Sequence, residues 1–197
     1  MKRILTAAFL GVAVISGWAQ GTIDFRNGGI SFPTVADRFV YLGAIGGTKL
    51  AGTNYVAGLF YLAGANAAID SPTAGTQAGE LARFRNPTSL SIGLWLNATA
   101  IGNTRVLDGV TFNQTATIQI RVWDSSVFNS YAAAFAAGQY GASAPFNYTV
   151  PSQDNIDPSK YYMDGLRAFA VVPEPSMIAL GALGVASLLF LRRRKVS

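Results

Sequence analysis

Apolar and polar positions divide the chain into two terminal apolar runs and a long middle stretch of strand-like patterns. Thr115 to Trp123 alternates most clearly, with Ile118, Ile120 and Val122 on one face and Thr117, Gln119, Arg121 and Trp123 on the other. Tyr55 to Leu62 sets Tyr55, Leu59 and Tyr61 against Val56, Phe60 and Leu62, which predicts a strand buried on both sides. Gly21 to Arg26 alternates and ends in the turn sequence Asn27-Gly28-Gly29. Arg38 to Leu42 (ahead of Gly46-Gly47), Phe146 to Val150 and Leu166 to Val172 read as further strands, while Leu90 to Leu96, with Trp95, is apolar but ambiguous in type. One helix interrupts them. Phe128, Tyr131, Ala132 and Phe135 form a helical stripe, Asp124, Ser125 or Ser126 can cap it, and Gly138 suits the residue past its end. Many short strands with Gly-rich connections predict a mainly β fold: an antiparallel immunoglobulin-like β-sandwich with one inserted helix.

The terminal runs carry a different message. Lys2 and Arg3 precede an apolar run, Ile4 to Ile15, and Gly17-Trp18-Ala19 supplies small residues before a cleavage point. This is the pattern of a secretory signal peptide over residues 1–19, cut between Ala19 and Gln20; a buried N-terminal helix is the alternative. At the other end, Pro173-Glu174-Pro175 precedes the apolar run Met177 to Leu191, and Arg192, Arg193, Arg194 and Lys195 close it. As a helix the fifteen residues 177–191 reach about 22 Å. That is short against a hydrocarbon core of about 30 Å. The two prolines stop the helix from extending backward. A transmembrane helix is therefore predicted over 177–191, with Arg192 to Lys195 as a cytoplasmic stop and the body of the chain outside. A plain C-terminal anchor shares these features, the Pro-Glu-Pro then being incidental.

Pro173-Glu174-Pro175, the apolar run, the basic end and its terminal position together resemble the PEP-CTERM sorting signal. The resemblance implies export in a Gram-negative bacterium and recognition of Pro173, Glu174 and Pro175 by an exosortase-type enzyme. It also implies an intermediate held in the inner membrane, then delivery to the cell surface or to extracellular polysaccharide. Two further segments, Gly52 to Tyr61 and Ile118 to Asp124, look like recurring blocks of exported PEP-CTERM proteins, where an Ala-rich helix also follows the second block. That likeness implies a shared ectodomain and brings no catalytic residues with it.

Removing the two terminal segments changes the charge balance. The formal net charge of +5 comes from Lys2, Arg3 and Arg192 to Lys195, offset by Glu174; between Gln20 and Val172 nine basic residues face nine acidic ones. The neutral ectodomain lacks the basic footprint that nucleic-acid binding needs. Residues 20–172 amount to one domain, and with no cysteine in the chain its stability rests on core burial.

Candidate chemistry is narrow. The absence of histidine and cysteine excludes Ser-His-Asp and Cys-His nucleophiles, His-containing zinc sites, thiol chemistry and Fe–S ligation. Glu80, Asp108 and Asp124 are the candidates for a carboxylate-dependent glycoside hydrolase, although nothing in their spacing pairs them, and Asp108-Gly109 reads as a turn. Asp154, Asn155, Asp157 and Asp164 could offer oxygens to calcium but also read as a solvated loop. Trp95, Trp123, Tyr161 and Tyr162 could stack on sugar rings or serve as packing. Asn97, Asn113 and Asn147 head glycosylation-type tripeptides that a Thr-rich chain produces by chance. The expectation is an exported structural or interaction protein with no catalytic residues, metal or cofactor. A carbohydrate (exopolysaccharide)-binding module is the alternative, and a hydrolase the weaker one.

Overall fold

Residues 20–96 and 102–172, described by a computed structural model, form ten strands, one short α-helix and a 3₁₀ turn. The expected signal peptide with Ala19, the motif Pro173-Glu174-Pro175, the apolar run 177–191, Arg192 to Lys195 and Asn97 lie outside the described residues. In chain order the strands are β1 (Gln20–Asp24), β2 (Val40–Leu42), β3 (Tyr55–Ala63), β4 (Thr76–Gln77), β5 (Ala82–Arg83), β6 (Thr104–Thr111) and β7 (Thr115–Asp124). After the helix α1 (Tyr131–Ala136) come β8 (Tyr140–Ala142), β9 (Phe146–Thr149), the 3₁₀ turn Pro158–Tyr161 and β10 (Phe169–Val171).

The main sheet is built on the antiparallel β3–β7 ladder, which runs from Tyr55 opposite Asp124 to Ala63 opposite Ala116. Its order is β2-β10-β8-β7-β3-β4, with β5 also on β3 and β9 also on β7. A separate antiparallel ribbon, β1–β6, covers one face of that sheet. Ile23, Leu107 and Val110 of the ribbon share one buried cluster with Ala57, Leu59 and Tyr61 of β3 and Ala116, Ile118, Ile120 and Val122 of β7. Full burial of an aliphatic side chain is worth about 1.5–3 kcal/mol, so this interlayer core is the main source of stability in a chain without disulfides.

The other sheet face is also closed. Val56 and Trp123 pack against Tyr131 and Ala134 of α1, with Phe60, Phe128, Phe135 and Tyr140 around them. The two-sided burial read from Tyr55 to Leu62 is thus observed. The polar residues of β7 are buried as well: Thr117, Gln119 and Arg121 are 1%, 3% and 0% exposed. They anchor the β3–β4 connection. Thr117 Oγ1 donates to Gly64 O and accepts from Ala67 N, and Gln119 Nε2 donates to Asp70 Oδ1.

Three expectations are corrected. The sheet is not purely antiparallel, because β10 runs parallel to β2, a pairing open to strands joined through most of the fold instead of by a hairpin. The helix begins later than its apolar stripe suggests. Asp124 accepts from Ser126 in a local turn and Ser125 bonds Asn54, so neither caps the helix; extended Ser130 does, accepting from Ala133 N. Gly138, at φ 74°, follows its end as expected. Asp108-Gly109 is not a turn between elements but a bulge inside β6. The register jumps from Gly21 opposite Leu107 to Gln20 opposite Thr111, and Gly109 at φ 77° supplies the left-handed backbone. Leu90 to Leu96 forms no strand; it joins its neighbours through a bridge from Trp95 to Phe84 and through backbone bonds of Gly93 with Val40 and Leu50.

Candidate functional site

The place where the fold hands over to the C-terminal segment is built by β10. Phe169 and Val171 are buried, and β10 lies between β2 and β8. Val171 O accepts from Gly43 N at 2.8 Å, and Val172 N donates to Tyr140 O at 2.9 Å. The chain is therefore held by backbone bonds up to Val172, one residue before Pro173. Gln20 opens β1 opposite Thr111, at the end of the β6–β7 hairpin. That is the far pole from Val172: nine register pairs of β3–β7, about 27 Å, separate the two ends of the main ladder.

Of the carboxylates considered for hydrolysis, Asp108 and Asp124 lie toward opposite ends of β3. Asp124 lies beside Tyr55 at one end of β3, and its carboxylate is occupied by Ser126. Asp108 is near the other end, where its carbonyl accepts from Tyr61. Six residues of extended strand between Tyr55 and Tyr61 amount to about 20 Å. Glu80 is exposed and contributes its carbonyl to Arg105 Nε.

The acidic loop spends its oxygens on the protein itself. Asn155 Oδ1 accepts from Asp157 N, and Asp157 Oδ1 accepts from Ser159 N, capping the 3₁₀ turn. The hydrogen bonds from Ser159 hold the Asp157 carboxyl below its ordinary range. Asp164 accepts from Thr34 and pairs with Arg38 Nη2 at 2.8 Å. Burial pushes its pKa up, but the Thr34 hydrogen bonds and the charges of Arg38 and Arg167 outweigh that and leave it lowered. Among the described residues no group of three or more His, Cys, Asp or Glu is arranged to hold a metal.

The aromatic candidates separate into core and surface. Trp95 is 3% exposed, donates its indole N–H to Phe25 O and packs on Phe25 and Phe84. Trp123 is equally buried against Tyr131. Tyr161 and Tyr162 are half-buried and line different depressions. Tyr161 faces Thr22, Asp24 and Thr104 in one of about 200 Å³. Tyr162 joins Phe146, Asn147, Lys160 and Asp164 in one of about 260 Å³. Of the tripeptides, Asn113 sits in the β6–β7 turn at φ 61°, and Asn147 is hydrogen-bonded to Asn66.

Sequence reading missed the buried cations. Arg38, Arg105 and Arg121 are 5%, 1% and 0% exposed, and burial lowers the pKa of each. The usable signal was Arg121 flanked in the same strand register by Gln119 and Trp123, a face too mixed for solvent.

Taken together, these features define a β-sheet ectodomain whose last strand leads straight into a C-terminal addressing segment. Residues 171–195 match the family model described as the PEP-CTERM protein-sorting motif. The matched segment thus starts on the residue that closes β10, and it implies an exported protein processed by an exosortase-type enzyme. Neither a curated protein nor a solved structure matches the chain.

Proposed function

We propose that this chain is a non-enzymatic structural or interaction protein of the cell surface or extracellular matrix. In this reading residues 1–19 are removed as a signal peptide between Ala19 and Gln20, and Met177 to Leu191 hold the precursor in the inner membrane as a transmembrane helix. Arg192 to Lys195 act as the cytoplasmic stop. An exosortase-type enzyme then recognises Pro173, Glu174 and Pro175, and the β-domain, a sandwich of immunoglobulin-like character, is passed outward. The observation that carries this reading is the junction itself. Every described strand ends before Pro173, so a cut at the motif interrupts none of the described elements.

The test is mass-spectrometric peptide mapping of the native protein from membrane and extracellular fractions. An extracellular chain running from Gln20 to between Pro173 and Ser176 supports the reading. Peptides through Leu191 found intact in the mature membrane form would make the tail a permanent anchor and end the exosortase part. Neutral residues in place of Arg192 to Lys195 should weaken retention of the precursor.

A second reading, binding of exopolysaccharide, is favoured by one feature. Half-buried Tyr162, whose ring packs on Phe32 and lies 5.9 Å from the Arg26 guanidinium, lines a depression with Phe146, Asn147 and Lys160, where apolar and polar groups sit side by side for a sugar. Retardation in a polysaccharide gel, lost in Tyr162→Ala, would support it, and unretarded migration in every gel would remove it.

A further inference from the structure

Val172 leaves the fold between two uncharged, exposed loops. On one side is the turn after β2, residues 42–48 (Leu-Gly-Ala-Ile-Gly-Gly-Thr), tied to the last strand by the Gly43 N to Val171 O bond. On the other side is the end of α1, where Ala136, Ala137 and Gly138 are exposed and lead to Tyr140, the acceptor for Val172 N. Leu42, Ile45 and Val172 are 37%, 62% and 50% exposed. There is no charged residue in 39–48 or in 125–153. Of the charges that border this pole, Lys49 Nζ lies 3.4 Å from the centre of the Phe39 ring, Asp124 is bonded to Ser126, and exposed Arg83, opposite Val56 on β5, donates to Thr53 O. Leu42, Ile45 and Val172 make an apolar tip that a partner accepting apolar groups would cover.

The chain beyond Val172 fixes what that partner is. Four residues separate Val172 from Met177, where the apolar run begins. At no more than about 3.6 Å per residue, Val172 stays within about 18 Å of the start of that run. The headgroup layer on each side of the hydrocarbon is itself several ångströms thick. Small apolar side chains gain free energy by entering its inner boundary. We infer that the pole carrying Leu42, Ala44, Ile45, Ala136, Ala137 and Val172 rests in the headgroup boundary of the bilayer while the chain is attached through its C-terminal segment. This rests on the reading of Met177 to Leu191 as the membrane segment. The tip orients the domain, with the Val172 pole on the lipid and the Gln20 pole pointing away.

The absence of cysteine makes the test direct. Ile45→Cys and, at the opposite pole, exposed Ala65→Cys are each introduced into the full-length chain and labelled with an environment-sensitive fluorophore. Each chain is then reconstituted into phosphatidylethanolamine–phosphatidylglycerol vesicles with and without nitroxide-bearing lipids. The expected result is a blue-shifted emission at Ile45→Cys that the nitroxide lipids quench, with Ala65→Cys unshifted and unquenched. Two aqueous labels on a chain that still floats with the vesicles would overturn the inference and leave the anchor standing. A blue shift at Ile45→Cys without quenching would assign the tip to protein contact, such as a second copy, and also overturn it. A chain that fails to float with vesicles would overturn the anchor and the inference together.

Discussion

The guanidinium of Arg121 lies 4.8 Å from the centre of the Tyr131 ring, so the fully buried cation of β7 is covered by the first residue of α1. Phe60 flanks the same guanidinium at 4.3 Å. Its charge faces no paired carboxylate. Instead Nη2 donates to the carbonyls of Ile69 and Ser71, Nη1 to Pro72 O, and Nε to Gln119 Oε1. One side chain therefore fixes the β3–β4 connection, orders Gln119 and supports the helix.

Arg121→Met is expected to lose about 2–4 kcal/mol of stability. It keeps apolar bulk under Tyr131 but leaves carbonyls of the 69–72 segment without donors, and unmade buried bonds cost about 1–3 kcal/mol each. Arg121→Lys should recover only part of this, since one ammonium cannot reproduce the fork that reaches three carbonyls. Urea unfolding of the ectodomain checks both; an unchanged midpoint in Arg121→Met would remove the anchoring role.

Tyr131 predicts an alkaline limb. Burial pushes its phenol up to about 12, and the nearby Arg121 charge offsets only part of that. In the unfolded chain a tyrosine ionises near 10. Between about pH 10 and 12 the unfolded state therefore binds fewer protons than the folded one, and stability falls as pH rises. Its contribution is complete below pH 10 and declines by up to about 3 kcal/mol by pH 12, at about 1.4 kcal/mol per unit. Tyr148, buried with its hydroxyl on Thr22 O, is raised as well and adds to the same limb. Tyr131→Phe should flatten that limb while leaving neutral-pH stability nearly unchanged. An identical high-pH decline in the variant would assign the limb to other groups.

Asp164 sets the sign at the acid end. Its pKa is lowered in the fold, so its contribution is present above the ordinary carboxylate range and is lost as pH falls through its folded value. The pair with Arg38 joins the loop before β2 to the loop before β10. Asp164→Asn is expected to unfold at lower urea at pH 7 and to show a shallower loss below about pH 4 than the parent chain. Parallel acid curves for the two proteins would count against this.

How much was visible in the sequence depended on how local the signal was. The Thr115–Trp123 alternation and the two-sided Tyr55–Leu62 pattern gave the central ladder, because period-two burial is written in adjacent residues. β6 was hidden by Asp108-Gly109, a turn signal used here as a bulge. Ser130 lost out to Asp124 and Ser126 as an expected cap because cap preference alone does not show which candidate's oxygen is already bonded. The parallel β2–β10 pair and the burial of Arg38 are contacts between distant segments, about which spacing is silent. The C-terminal motif was legible because its parts are contiguous: Pro-Glu-Pro, apolar run and basic end in one stretch.

Phe169 and Val171 are 5% and 1% exposed, and β10 bridges β2 to β8. A chain ending at Val172 should therefore unfold at the same urea concentration as one ending at Ser176, since Val172 N to Tyr140 O is the last bond of the described fold. A chain ending at Arg167 loses both buried side chains and leaves β2 and β8 with open edges toward each other. Removing two large apolar side chains alone costs about 3–6 kcal/mol, a large share of the 5–15 kcal/mol typical of a domain. Circular dichroism and urea titration of the three chains decide the matter. Equal stability of the first two and collapse of the third would show that processing at Pro173-Glu174-Pro175 releases a finished domain. A marked loss on going from Ser176 to Val172 would mean that the motif itself contributes to the fold, and that cutting within it destabilises the product.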